Sequence, residues 1–181
     1  MTRVHDVVQR FTPLQRTLHW LMAVCIVAML FIGVGMVSTI GRQYVPLLIT
    51  HKTLGIAILA LALVRLVVRF ISGAPALPPD LPGPMKLAAH LSHVALYALM
   101  IGMPLIGWAM MSAAAYPIVL YGGIHLPPIL PQSPTLHALL WSAHFYLAFA
   151  FFGLVVMHLA AALFHGLVRR DGVLQTMLPG K

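Results

Sequence analysis

The chain has 181 residues, of which 61% are hydrophobic and only 8% are charged, and its mean hydropathy is +0.96. A soluble domain carries about 25% charged residues, so this composition excludes a soluble globular protein and predicts an integral membrane protein. The formal charge of +8 would suggest nucleic-acid binding in a soluble protein. In a membrane protein, basic loops on one side of the bilayer explain the positive charge, and we expect no nucleic-acid partner. The single cysteine, Cys25, excludes a disulfide within the chain.

Four apolar stretches are long enough to cross a bilayer, which takes about 20 residues per helix. We therefore predict a single all-α domain over residues 1–181, folded as a bundle of four membrane-spanning helices surrounded by lipid. The predicted spans are residues 15–37, 47–70, 87–111 and 138–168.

Lysine and arginine are distributed unevenly between the two ends of this bundle. Nine of the 11 lie beside the chain termini or around the linker between the second and third spans. Only Arg42 and Lys52 belong to the other end. Because basic residues accumulate in cytoplasmic segments, we predict a multi-pass topology with both termini in the cytoplasm.

The fourth span carries histidines, which are costly at membrane depth and therefore indicate function. His144 and His158 are 14 residues apart, which is roughly 21 Å along a helix and within roughly 40° of the same face. His19 begins the first span on the cytoplasmic side, and His51 begins the second span on the outer side. Depth therefore pairs His51 with His144 and His19 with His158.

Two imidazoles at each of two depths are the ligands that two stacked haems need. Bundle cores hold cofactors between side chains of facing helices. Two axial imidazoles saturate the iron of a haem, which favours electron transfer over oxygen binding. The competing interpretation is that each histidine only hydrogen-bonds within the bundle, and the matching of depths in pairs weighs against it.

Three further histidines each have more than one possible role, and metal transport is an alternative to haem binding. On depth alone, His165 is an alternative to His158 as the inner ligand. His90 and His93 are candidates for hydrogen bonds to haem propionates or a quinone headgroup, or for ordinary polar packing. A transition-metal transporter usually gathers ligands at one level and uses carboxylates. The only acids here, Asp6, Asp80 and Asp171, all belong to the cytoplasmic side.

Several motifs, in this order and spacing, resemble the bacterial cytochrome b561 family over nearly the whole chain. They are RTLHW at 16–20, HKTLG at 51–55, VRLVVRF at 64–70, AHLSHVALYALMIGMPLIGWAMM at 89–111, the spaced histidines of the fourth span, and DGVLQTMLP at 171–179. The segment that departs most from the family is 113–135, between the third and fourth spans.

The resemblance implies a protein of the bacterial inner membrane with two haem b groups. Their axial ligands would be the pairs His19/His158 and His51/His144, which decides against His165. Within the family, the chain resembles small four-helix members that oxidise superoxide. That likeness implies electron transfer from superoxide on the outer side to ubiquinone, with no catalytic residue beyond the haems. The alternative is a non-enzymatic cytochrome b subunit that passes electrons between quinone and a partner redox protein.

Basic residues near each haem level are candidates for contacts with charged groups. Arg42 and Lys52 are the only formal charges expected outside, where they would steer an anionic donor or pair with propionates or lipid headgroups. The candidates for the propionates of the inner haem are Arg16, Arg65, Arg69 and Lys86.

Overall fold

The computed structural model describes residues 10–178. Within them the chain forms four long helices: α1 (Pro13–Ser38), α2 (Tyr44–Ser72), α3 (Gly83–Ala113) and α4 (Pro134–Leu163). All four are long and apolar enough to span a membrane, so the prediction of an all-α, four-helix membrane bundle is confirmed. Arg3, His5, Asp6 and Lys181 lie outside the described residues.

Each helix begins two to four residues before its predicted span, and side-chain capping accounts for this in α1 and α4. Thr12 and Gln15 form a reciprocal capping box ahead of α1, with Pro13 in the first turn. In α4 the side chain of Ser133 accepts a hydrogen bond from the backbone N–H of Leu136. These polar residues satisfy free N–H groups at a helix start, so α1 and α4 extend into sequence that hydropathy alone assigns to a loop.

A small apolar core lies midway between the two predicted histidine levels. It consists of Met22 and Ile26 from α1, Ile58 and Ala62 from α2, Met100 and Met103 from α3, and Phe151 from α4. Phe151 is seven residues from His144 and seven from His158. The outward faces of the helices are apolar and exposed, as a surface in lipid requires.

The connection between α3 and α4 folds back over one end of the bundle, here called the loop end. It contains a short antiparallel hairpin of β1 (Ile118–Val119) and β2 (His125–Leu126). Tyr121 fixes it to α2, because its hydroxyl lies 2.7 Å from Oγ1 of Thr50 and its N–H donates to Oγ1 of Thr53. Since those threonines flank His51, the connection roofs the predicted outer site.

The opposite end, here called the terminal end, is closed by contacts between distant parts of the chain. Nε2 of the buried Gln15 donates to the carbonyl of Gly73 at 2.8 Å. Arg16 and the indole of Trp20 donate to the carbonyls of Leu178 and Met177. The C-terminal segment is therefore held against the start of α1.

We expect Thr12→Ala to lower the free energy of unfolding by about 1 kcal/mol, because it removes one half of the capping box. Thermal unfolding of the protein in detergent measures the change. Thr17→Ala is the matched control, because Thr17 is exposed within α1 and its loss should leave stability unchanged. Equal effects of the two substitutions would contradict the capping role.

Candidate haem sites at two levels of the bundle

At the loop end, His51 of α2 and His144 of α4 lie side by side. Their ring centroids are 6.1 Å apart and the rings are inclined by 66°. Two metal–imidazole bonds of about 2 Å each, with the distance from each nitrogen to its ring centre added, give a centroid separation of about 6 Å. The spacing therefore fits one iron atom held between the two rings.

The surroundings of this pair also fit a group that approaches the imidazoles closely. Nδ1 of His51 is buried with no hydrogen-bond partner among residues 10–178. Nδ1 of His144 is buried as well and lacks a hydrogen bond of good geometry, although the backbone of Met103 is close enough to interact with the ring. Buried polar atoms left this way are costly unless something binds or reorients them.

Two glycines leave space beside the outer pair. A side-chain Cβ at Gly107 of α3 would lie 3.4 Å from Cε1 of His144, and one at Gly33 of α1 would lie 3.9 Å from Cε1 of His51. All four helices thus contribute to the outer site, two through imidazoles and two through the absence of a side chain. The sequence interpretation did not single out these glycines.

At the terminal end, His19 of α1 and His158 of α4 form the second pair. Their ring centroids are 6.3 Å apart, with an inclination of 62°, which matches the outer pair. His93 of α3 is also close to His158, at 5.6 Å between centroids. The inner level therefore holds three imidazoles, and the placement of His93 against His158 goes beyond what spacing along the chain predicts.

Arg65 of α2 also belongs to the inner level. Its guanidinium lies 2.9 Å from Nδ1 of His19 and 5.6 Å from the ring centre of Tyr97. Arginine only donates hydrogen bonds, so Nδ1 of His19 is the acceptor, which leaves the proton of a neutral imidazole on Nε2. For Nε2 to bind iron, that proton must move and Arg65 must find another acceptor.

Among the described residues, no carboxylate accepts a hydrogen bond from Arg65. Residues 10–178 contain two acids, Asp80 and Asp171, and both accept hydrogen bonds from Arg169. Arg65 is thus a largely enclosed cation without a carboxylate partner in the described part of the chain. A haem propionate fits this requirement chemically, because arginine binds carboxylates through paired N–H groups.

The other predicted basic residues are spread over both ends of the bundle. At the terminal end, Arg69 lies over the ring of Phe11 and Nζ of Lys86 donates to the carbonyl of Pro79. At the loop end, Arg42 is exposed and Lys52 is half-buried beside His51. Their predicted contacts with propionates or an anionic donor remain predictions.

His165 does not join either pair. Its Nδ1 lies 2.7 Å from Oδ2 of Asp171, so it contacts a carboxylate beyond the end of the last span. At the loop end, His137 contacts the carbonyl of Met110 through Nδ1, and His125 is exposed in β2. Within the described residues, no group of three or more His, Cys, Asp or Glu side chains has the arrangement of a metal-ion site.

A membrane bundle of four helices, with imidazoles facing each other at two depths, has the architecture of a membrane b-type cytochrome. Comparison with known proteins identifies the family. Residues 10–180 match the family model described as prokaryotic cytochrome b561, and the chain belongs to that family. It is thus a multi-pass bacterial membrane protein of a family of haem b-binding oxidoreductases that carry electrons.

Three curated relatives show how far the similarity extends. Cytochrome b561 homolog 2 of Escherichia coli strain K12 is 30% identical over 172 residues, covering 94% of this chain and 92% of the relative. Cytochrome b561 homolog 1 of the same strain is 28% identical, covering 94% and 97%. A protein of Yersinia pestis named probable superoxide oxidase CybB is 29% identical, covering 96% and 98%. The resemblance read from the sequence motifs is therefore confirmed at the level of the family.

We expect Gly107→Val to lower the amount of haem bound per chain, because the added side chain would push against the ring of His144. Gly102→Val is the matched control on the same helix, since a Cβ there meets no atom within 4 Å. The pyridine haemochrome assay on purified protein measures the difference. Equal haem content in the two variants would show that the space at Gly107 does not serve the outer site.

Proposed function

We propose that the chain binds two haem b groups and transfers electrons from superoxide at the loop end to ubiquinone at the terminal end. The observation that carries the proposal is the near-identical spacing of the two histidine pairs, 6.1 Å and 6.3 Å between centroids, at two depths of one bundle. His51 and His144 would hold the outer haem, and His19 and His158 the inner haem. The similarity to a protein named probable superoxide oxidase supports the choice of substrate.

Haem b, when bound, supplies a one-electron carrier between a donor that gives one electron and a quinone that takes two. Two superoxide ions would each give up one electron and leave as dioxygen. Ubiquinone would take the two electrons and two protons to become ubiquinol. Each histidine pair would supply both protein ligands of its iron, which would leave oxygen no open position at which to bind.

The residues around the two pairs differ in a way that favours this direction. Arg65 lies beside the inner pair, and among residues 10–178 no arginine hydrogen-bonds to Nδ1 of either ring of the outer pair. A nearby cation stabilises an added electron, so the inner position would hold the electron more strongly than the outer one. The apolar core between Met22 and Phe151 keeps water out of the space between the two levels.

Arg42 and Lys52 would attract the anionic donor to the loop end. The connection between α3 and α4 has no Asp, Glu, Lys or Arg from residue 114 to residue 133, so no other formal charge lies in the roof. An anion approaching a neutral surface with a few basic residues is steered toward them.

The alternative proposal is a cytochrome b subunit that exchanges electrons between quinone and a partner redox protein and does not react with superoxide. The exposed turn between β1 and β2, with Tyr121 and His125 on its surface, favours this alternative as a contact surface for a protein partner. The isolated protein distinguishes the two, because only the first reaction proceeds without a partner.

The first test is a dithionite-reduced minus oxidised spectrum with a haem count. We expect b-type bands and about two haems per chain. His51→Ala and His158→Ala should each lose one haem, because each removes one ligand of a different pair. Loss of haem with His165→Ala but not with His158→Ala would contradict the assignment of the inner ligands.

The second test concerns steering by charge. We expect the double variant Arg42→Gln/Lys52→Gln to slow the reduction of the haems by superoxide roughly several-fold at low ionic strength, with the difference disappearing at high salt. Stopped-flow absorbance in detergent measures the rate. Arg10→Gln/Arg170→Gln is the control, since it removes the same charge from exposed positions at the terminal end. Equal slowing in both double variants would exclude local steering.

A further inference from the structure

The imidazole of His144 meets the backbone of α3 at a point where three features of that helix coincide. The backbone of Met103 is close enough to interact with the ring. Pro104, the proline inside α3, follows it directly. One turn further along, a side-chain Cβ at Gly107 would lie 3.4 Å from Cε1 and 3.7 Å from Nδ1 of His144. Residues 103–107 of α3 therefore lie against the Nδ1 side of this ring.

Helix geometry shows which backbone group of Met103 is available to the ring. Within an α-helix the N–H of Met103 donates to the carbonyl of Leu99, four residues earlier. The carbonyl of Met103 faces the N–H of Gly107, but a carbonyl oxygen has two lone pairs and can accept a second hydrogen bond. The atom of His144 that pairs with it must be a donor, because a carbonyl only accepts.

The missing side chain at Gly107 leaves room for the ring beside this carbonyl. In a helix, the residue four positions after a carbonyl lies next to it along the axis. Of the three glycines of α3, only Gly107 has a side chain from another helix within 4 Å of an added Cβ in the described structure, whereas Gly83 and Gly102 have none. The close approach of ring and backbone therefore occurs where α3 has no Cβ to prevent it.

Pro104 makes the carbonyl of Met103 a stronger acceptor. The peptide bond between the two residues has no N–H, and the additional ring carbon on its nitrogen donates electron density toward the carbonyl oxygen. The same carbonyl before an ordinary residue would be a secondary amide and a weaker acceptor. The sequence therefore places its best backbone acceptor beside one of the assigned iron ligands.

Resting on the proposed haem ligation, we propose that the carbonyl of Met103 accepts a hydrogen bond from Nδ1 of His144 and so orients and strengthens this ligand. A neutral imidazole that binds iron through Nε2 carries its proton on Nδ1, and such a proton usually meets a carbonyl or a carboxylate. Nδ1 of His144 is buried and has no hydrogen bond of good geometry. A small rotation of the ring, for which the space at Gly107 gives room, completes the bond.

The proposal makes the two outer ligands unequal. Nδ1 of His51 has no hydrogen-bond partner among residues 10–178 and no comparable carbonyl contact. A hydrogen bond from Nδ1 raises the basicity of a metal-bound imidazole, and a more basic ligand stabilises the oxidised iron. His144 would thus lower the potential at the outer pair, while Arg65 favours an added electron at the inner pair. Both effects favour electron transfer from the outer to the inner level.

The connection between α3 and α4 fixes the rotation of α3 on which this contact depends. The indole of Trp108, the residue after Gly107, donates to the carbonyl of Pro127 at 2.8 Å. Oγ of Ser112 donates to the carbonyl of Trp108 at 2.8 Å and accepts from the N–H of Ile129 at 3.1 Å. These bonds hold the loop end of α3, so the residues that face His144 cannot turn away from it.

The experiment is a redox titration of the holoprotein, followed by absorbance, in Pro104→Ala and Gly107→Ala. The first variant weakens the carbonyl of Met103 as an acceptor, and the second places a methyl group against Cε1 and Nδ1 of His144. In both we expect the reduction equilibrium of the outer haem to shift toward the reduced form by roughly three- to tenfold, the range for one hydrogen bond. The inner haem should keep its wild-type potential. The outer haem is identified as the one that is lost in His51→Ala.

Gly102→Ala is the matched control, because it adds the same methyl group to α3 where a Cβ meets no atom within 4 Å. Its two potentials should equal those of the wild type. A readout independent of electron transfer is the ¹⁵N NMR signal of the histidine Nδ1–H groups in reduced, histidine-labelled protein. The Nδ1 proton of His144 should exchange slowly with water in the wild type and in Gly102→Ala, and faster in Pro104→Ala and Gly107→Ala.

The outcomes distinguish this inference from the proposed function. Wild-type protein whose haem content does not change in His51→Ala would overturn the proposed ligation itself. Two bound haems with wild-type potentials and wild-type proton exchange in both Pro104→Ala and Gly107→Ala would overturn only the role of Met103. Loss of both haems in both variants would show that these positions serve the packing of the bundle as a whole, and would also overturn that role.

Discussion

The structure depends on the cost of placing imidazole rings inside an apolar bundle. A neutral imidazole has one donor and one acceptor, and lipid satisfies neither. Each histidine at membrane depth must therefore meet a partner across the bundle. His51 faces His144, and His19 faces His158, each pair with its ring centroids about 6 Å apart. The helices that carry them are held together by a core of only a few fully enclosed side chains, which include Met22 and Phe151. The packing is thus arranged around the two polar levels, and the apolar core separates them.

The two ends of the bundle differ in charge for a reason that follows from this arrangement. Both described acids, Asp80 and Asp171, lie at the terminal end, where Arg169 bridges them. The loop end has no acid among the described residues and is closed by a neutral connection that Tyr121 fixes to Thr50. Ion pairs at the terminal end can form near the membrane surface, where desolvation of charges costs less than in the bundle. The neutral roof leaves the basic residues of the loop end without an opposing charge, which suits an anionic donor.

Much of this fold follows from the sequence. The parts that the sequence does not predict have one physical cause in common. Apolar stretches of about 20 residues predict four spanning helices, and the rise per residue predicts that His144 and His158 lie at different depths on one face. Depth also predicts that His51 and His144 are neighbours, but on depth alone His158 and His165 are both candidates to face His19. The contact between Gly107 and His144, and that between Arg65 and His19, depend on the rotation of each helix about its axis relative to the others. Hydropathy does not specify that rotation, because both the lipid-facing and the core-facing sides of these helices are apolar.

The end of α4 shows how a local departure from regular helix geometry changes which residues meet at the end of a bundle. A regular helix through residues 164–171 would carry Asp171 away from His165, and the acid would then face water as an ordinary surface charge. The wide turn and the reversal at Arg170 instead place the carboxylate against the imidazole and bury both. Regular helices position the two histidine pairs, which require fixed depth and spacing. The irregular turn positions an imidazole against a carboxylate, where the helix leaves the membrane.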